Sequence, residues 1–255
     1  MSTSVRIQGM YARVERDGVD DAVAVEEPLE IRVDGAPLAV TMRTPGHDAE
    51  LALGFLYGEA LLDEPHAATP PADLAGGTIE VAGPLLRDPG LRRFYTSSSC
   101  GVCGKGAIEQ VRVDAEPLPP GPVLERALIA ALPDRLRQPE FERTGGMHAA
   151  GLFDARGHAL AVREDVGRHN ALDKLVGRCL IDGRLPLHGL VICVSGRLSF
   201  ELVQKAARAG APFLVGVGAP TSLAVSLAAE LGLTLCGFAR GGRANVYTCP
   251  ERVSG

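Results

Sequence analysis

The tightest constraint on this chain is the rhythm of its second half. "GLVICVSG", "FLVGVG" and "LTLCGFAR" are short apolar runs rich in strand-forming residues, and between them lie "SFELVQKAARAG" and "SLAVSLAAELG", with apolar residues at helical spacing. Strands alternating with helices of these lengths predict an α/β sheet with parallel strands and helices on its faces. Just upstream, "MHAAGLFD" and "HALAVRED" pattern as a hairpin, and a helix is expected over "RHNALDKLVGRCLID". Ligands of such sheets bind beyond the carboxyl ends of the strands. Three polar clusters fall there: "SGR" ending in Arg197, "APTS" from Ala219, and "ARGGR" from Ala239 to Arg243.

The first half reads differently. "VRIQGMYARVE" and "AVAVEEPLEIRVDG" alternate apolar and polar residues, and Asp34-Gly35 is a hairpin signal into "PLAVTMRT". "GHDAELALGFLYGEALL" carries helical spacing. Residues 63–90 are rich in Pro, Gly and Ala, with "TIEV" as one strand candidate. A proline-rich connector at 117–122 marks the expected boundary between a smaller N-terminal α+β region, 1–120, and an α/β domain, 121–255.

A net charge of −5 argues against a general polyanion binder, so no nucleic-acid partner is expected, although a local basic pocket is compatible with it. No apolar run reaches the roughly 18 residues that span a bilayer. The N-terminus "MSTSVRIQGMYARVERDG" has no continuous apolar stretch of the kind a secretory signal needs. The expectation is a cytoplasmic protein without membrane association, whose six cysteines stay reduced. Cys193 and Cys236, inside strand-like runs, read as small buried hydrophobes. Cys179 and Cys249 stand alone. Only Cys100 and Cys103, in "YTSSSCGVCGKGA", are closely paired.

That CxxC admits three readings. A structural zinc needs four ligands, and the chain has no second CxxC and no histidine nearby in sequence; a distant His148 or His169 would have to join, and no metal is expected. A thioredoxin-like redox pair follows the first strand of another fold. A sulfur-carrying thiolate fits the setting best: a loop rich in Ser and Gly opening a helix near Lys105 lowers a thiol pKa. Cys100 is the expected carrier, with Cys103 assisting.

"TGGMHAA" invites comparison with zinc deaminases, but their His-x-Glu is absent, because Ala150 stands two residues after His148. Alone, His148 reads as an ordinary strand histidine. "REDVGRHNALDK" reads either as a solvated helix start, capped by Asp165 and paired His169–Asp173 and Asn170–Lys174, or as a polar wall with His169 as acid/base or ligand contact. "GFARGGRANVYT" sets Arg240 and Arg243 around Gly241 and Gly242, a pattern suited to phosphate as well as to a plain hairpin. "SGRLSFE" repeats the motif with Arg197 at a helix start.

Taken together, "EEPLEIRVDG", "MRTPGHDAELALGFL", "SSCGVCGK", "TGGMHAA", "REDVGRHNALDK", "SGRLSFELVQKAARAG", "APTSLAV" and "TLCGFARGGRANVYT" resemble the formate dehydrogenase accessory sulfurtransferase family, over nearly the whole chain. The resemblance implies a cytidine-deaminase-like mixed sheet with helices on its faces, and a homodimer. It implies sulfur taken as a persulfide from a cysteine desulfurase and delivered to the molybdenum of bis(molybdopterin guanine dinucleotide), the cargo, before its insertion into apo formate dehydrogenase. Cys100 resembles the persulfide-bearing cysteine with Cys103 its neighbour. Phe238, Ala239, Arg240, Gly241, Gly242 and Arg243 match the cofactor-binding segment, with Arg197, His148 and His169 as further pocket residues. The rival reading is a non-catalytic chaperone of the same cofactor whose CxxC is structural or redox-active.

Overall fold

A computed structural model describes residues 6–69, 77–88, 94–96 and 116–255. Cys100 and Cys103 lie outside the described residues. Arg6–Gln8 (β1), Tyr11–Arg16 (β2) and Val19–Ala24 (β3) form an antiparallel meander. Glu27–Val33 (β4) and Ala36–Arg43 (β5) make the expected hairpin, with Asp34 and Gly35 both at positive φ, as a two-residue turn matched to strand twist requires. Asp48–Gly58 (α1) follows, then Ala67–Thr69 (β6), Thr78–Ala82 (β7) and Phe94–Thr96 (β8). Leu124–Glu125 (β9) leads into the short helices Arg126–Ala131 (α2) and Pro139–Thr144 (α3). The hairpin His148–Phe153 (β10) and Ala159–Asp165 (β11) precedes helix Arg168–Ile181 (α4). Then come Val191–Val194 (β12), Phe200–Arg208 (α5), Phe213–Gly216 (β13), Ser222–Glu230 (α6), Thr234–Arg240 (β14), Arg243–Val246 (β15) and Val253–Ser254 (β16).

The second half builds a six-stranded sheet in the order β11-β10-β12-β13-β14-β15. β12, β13 and β14 run parallel, and the strands around them are antiparallel, so this is the mixed α/β sheet expected. Its central strands are apolar at every position because both faces are covered. Ile192, Val194, Leu214 and Leu235 face α4, α5 and α6, while Val191, Cys193, Phe213, Val215 and Cys236 face the layer from Leu124 to Leu136. Cys193 and Cys236 are the buried hydrophobes expected; burial raises both thiol pKa values, that of Cys236 to about 12.

The first half adds a sheet in the order β6-β7-β4-β5-β8. Leu29, Ile31, Ile79 and Val81 from this sheet share one apolar core with α1, α4 and the second sheet. α1 and α4 cross at glycines. A Cβ on Gly54 would stand 1.8 Å from the Asp173 carbonyl oxygen, and one on Gly177 would stand 1.8 Å from that of Glu50.

A buried polar cluster welds β5 to α4. Asp165 and Lys174 are both 0% exposed and pair at 2.7 Å. Lys174 Nζ also donates to the Thr44 carbonyl at 2.8 Å, and the Thr44 amide donates to Asp165. Asn170 donates to the Met42 carbonyl at 2.7 Å and accepts from Thr41 Oγ1 at 3.1 Å. The reading of "REDVGRHNALDK" as a solvated, Asp165-capped helix start is therefore corrected. Gly167 is the N-cap, and the Asp165 carboxylate serves Lys174, Asn170 and the amides of Thr44 and Gly167. Asp173 pairs not with His169 but with Lys205 of α5, at 2.7 Å.

Candidate functional site

The three clusters expected at the carboxyl edge of the parallel strands do line up there. β12 runs out into Ser195-Gly196-Arg197, and β13 into Val217-Gly218. Gly218 ties three strands together. Its amide donates to the Gly196 carbonyl, a Cβ on it would meet the Arg197 backbone at 3.0 Å, and its carbonyl accepts from the Phe238 amide at 3.1 Å. Adjacent strands are about 4.8 Å apart, so β14 and β12 bring their ends within about 10 Å.

On β14, Phe238 sits at φ 53, where a bulge interrupts pairing with β15. Its side chain is 40% exposed. Ala239 is fully buried in the core. Gly241 and Gly242, both at positive φ, form the two-residue turn into β15, and Arg240 pairs across from Arg243. Hairpin geometry alone explains these glycines. Both arginines are exposed, and among the described residues neither side chain makes a hydrogen bond or ion pair.

The other end of the edge holds a second basic group. A Cβ on Gly196 would stand 3.4 Å from His148 Nδ1 and 3.9 Å from Arg168 Cδ. Burial, together with the charges of Arg168, His169 and Arg197, lowers the His148 pKa, so its imidazole is neutral near pH 7. Burial, and then the like charge of Arg197, lowers the Arg168 pKa. Arg168 Nε is buried without a hydrogen-bond partner among the described residues. His169 Nε2 lies 2.8 Å from Glu201 Oε2 and 3.2 Å from Ser199 Oγ, both at the start of α5. His148, His169 and Arg197 thus come together, while Phe238 to Arg243 lie two strands away on the same edge. Among the described residues no three His, Cys, Asp or Glu side chains are grouped as metal ligands.

Arg168 and Glu201 escaped the sequence reading. One signal was present: the first turn of α4 carries Arg168 and His169 and no acidic residue, the reverse of what a helix dipole favours.

Residues 24–254 match the FdhD/NarQ family. The chain belongs to that family. A sulfur carrier protein FdhD of Streptomyces avermitilis is 51% identical over 262 residues, covering 94% of this chain and 93% of the relative. The protein of the same description from Mycobacterium tuberculosis is 47% identical over 254 residues, covering 92% of each. The crystal structure of a proposed formate dehydrogenase accessory protein from Desulfotalea psychrophila superposes with a TM-score of 0.75, at 27% identity and 99% coverage of both chains. Within the FdhD/NarQ fold of this chain, the edge just described brings Arg168, Arg197, His148 and His169 together with one carboxylate, that of Glu201.

Proposed function

We propose that this chain is a cytoplasmic sulfurtransferase that matures a formate dehydrogenase. The Cys100 thiolate attacks the terminal sulfur of a cysteine desulfurase persulfide. A new S–S bond forms at Cys100, the donor's S–S bond breaks, and the donor cysteine leaves as its thiolate. The Cys103 thiolate then attacks the inner sulfur of the Cys100 persulfide. A Cys100–Cys103 disulfide forms, and the outer sulfur leaves at the sulfide level to the molybdenum of bis(molybdopterin guanine dinucleotide), held as cargo by Phe238 to Arg243 with Arg197, His148 and His169, before insertion into the apoenzyme. A dithiol reductant reopens the disulfide for the next turnover. Cys103 assists, and the working unit is a homodimer.

The observation that carries this reading is where β8 ends. Thr96 pairs with Thr41 of β5, and Thr41 bonds Asn170, the neighbour of His169 at the start of α4. Cys100 is four residues beyond Thr96, a span of at most about 14 Å of extended chain. That length is compatible with delivery of sulfur to the basic end of the sheet edge. The relatives named as sulfur carriers support the chemistry, and the described residues contain no helix long and apolar enough to cross a membrane.

The test is intact mass after incubation with a cysteine desulfurase and cysteine, for wild type, Cys100→Ala and Cys103→Ala. A reducible gain of sulfur in wild type, absent in Cys100→Ala, is expected. No gain in wild type would favour the cofactor chaperone instead.

A further inference from the structure

We infer that Arg168 and Arg197 receive a phosphoryl oxyanion of the cargo beside His148, and that Glu201, held by His169, is the resident counter-charge against which that anion competes. The inference rests on reading this edge as the cofactor-binding edge, and names the part of the ligand received there: the pyrophosphate of a dinucleotide arm.

Four observations converge. First, Arg168 and His169 occupy the first turn of the 14-residue α4, where the helix end is itself electropositive and that turn holds no acidic residue of its own. A chain selected for stability alone places carboxylates there. Second, Arg197 is close enough to lower the Arg168 pKa, yet its side chain makes no hydrogen bond or ion pair among the described residues, and Arg168 Nε is buried and unpartnered. A buried donor left unmade is costly unless a ligand completes it. Third, the neutral imidazole of His148 adds a hydrogen-bonding group without adding repulsion. Fourth, Gly196 brings His148 and the Arg168 stem against one stretch of bare backbone, leaving room a side chain would fill.

Glu201 decides which anions are taken. Its carboxylate lies 2.8 Å from His169 Nε2 and its charge reaches Arg168. Glu201 answers Arg168, and Arg197 adds a second positive charge beside Arg168, which leaves a modest surplus of positive charge. A monoanion such as acetate gains little from it, whereas pyrophosphate carries several charges and offers the oxygen pairs that guanidinium forks match. A phosphoryl group is therefore selected over a carboxylate.

The experiment is calorimetric titration of the full-length protein with inorganic pyrophosphate, and separately with acetate, for wild type, Arg168→Gln and Glu201→Gln, with thermal melts as a fold check. Wild type should bind pyrophosphate and not acetate. Arg168→Gln should weaken pyrophosphate at least tenfold, and Glu201→Gln should tighten it about threefold or more. No pyrophosphate binding by wild type overturns the inference. So does unchanged affinity in a folded Arg168→Gln. If Arg168→Gln fails to fold, Glu201→Gln decides: affinity no tighter than wild type overturns the role given to this pocket. Sulfur loading of Cys100, measured by mass on the same proteins, separates the two readings, since loading needs no pocket. Pyrophosphate binding without sulfur gain would sink the sulfurtransferase and leave the pocket standing, and sulfur gain without pyrophosphate binding would do the reverse.

Discussion

At the scale of single residues, charge is placed here with two purposes. Glu50 on α1 illustrates the structural one. Burial alone would raise its carboxyl pKa, but the guanidinium of Arg163, 2.8 Å away, and the neighbouring His47 pull it down from 4.5 to about 2. A pKa depressed by folding contributes stability that is complete above pH 4.5 and is lost as pH falls towards 2. Wild type should therefore exceed Glu50→Gln by about 2 kcal/mol at pH 7, the order of a charged hydrogen bond. Denaturant unfolding from pH 7 to pH 2 should show that gap closing at the acid end; a gap that persists at pH 2 would contradict the assignment. Arg168 illustrates the other purpose, charge left without a structural partner. In the sequence the two arginines look alike, Arg163 in "VRED" and Arg168 in "VGRHN". What separates them is Glu50, 113 residues from Arg163, which no local pattern connects to it.

At the scale of elements, periodicity revealed what each segment is, and packing decided where it goes. α1 and α4 were legible because their apolar residues recur at helical spacing, β12 and β13 because they are apolar throughout, and β14 because of its apolar stretch from Leu235 to Ala239. β6, β8 and β9, two or three residues each, carry too little pattern to be seen. The crossing of α1 on α4 was equally hidden. Gly54 and Gly177 look like tolerated mid-helix glycines, and a glycine marks close approach without naming the partner. The structure makes them the contact itself, with each missing Cβ replaced by a carbonyl of the other helix. In an isolated helix, glycine to alanine gains about 1 kcal/mol. Here the sign should reverse. Gly54→Ala and Gly177→Ala must each push the helices apart, and each should lower stability in urea unfolding by about 3 kcal/mol, the upper end for overpacking. A stabilised Gly54→Ala would mean that the helices do not cross where described.

At the scale of the whole molecule, the question is whether the two sheets are one cooperative unit. The proline-rich stretch at 117–122 reads as a boundary, yet the residues before and after it meet in one apolar core and in one buried polar cluster. Lys174 is the centre of that cluster: it belongs to α4, pairs with Asp165 at the end of β11, and donates to Thr44 just past β5. Lys174→Met keeps the volume and removes the charge. Asp165 would then be an uncompensated buried carboxylate, which costs about 3–5 kcal/mol. The Thr44 carbonyl would lose its donor on the far side of the boundary. If the sheets share one unfolding transition, hydrogen exchange at β4 and β5 should accelerate by the same factor as exchange at α4 and β12, since all report the same global opening. Acceleration confined to α4 and β12, with β4 and β5 unchanged, would show two independently folding domains. The first sheet's position against the basic edge would then not be fixed by folding, and sulfur delivery would need a docking step between the two.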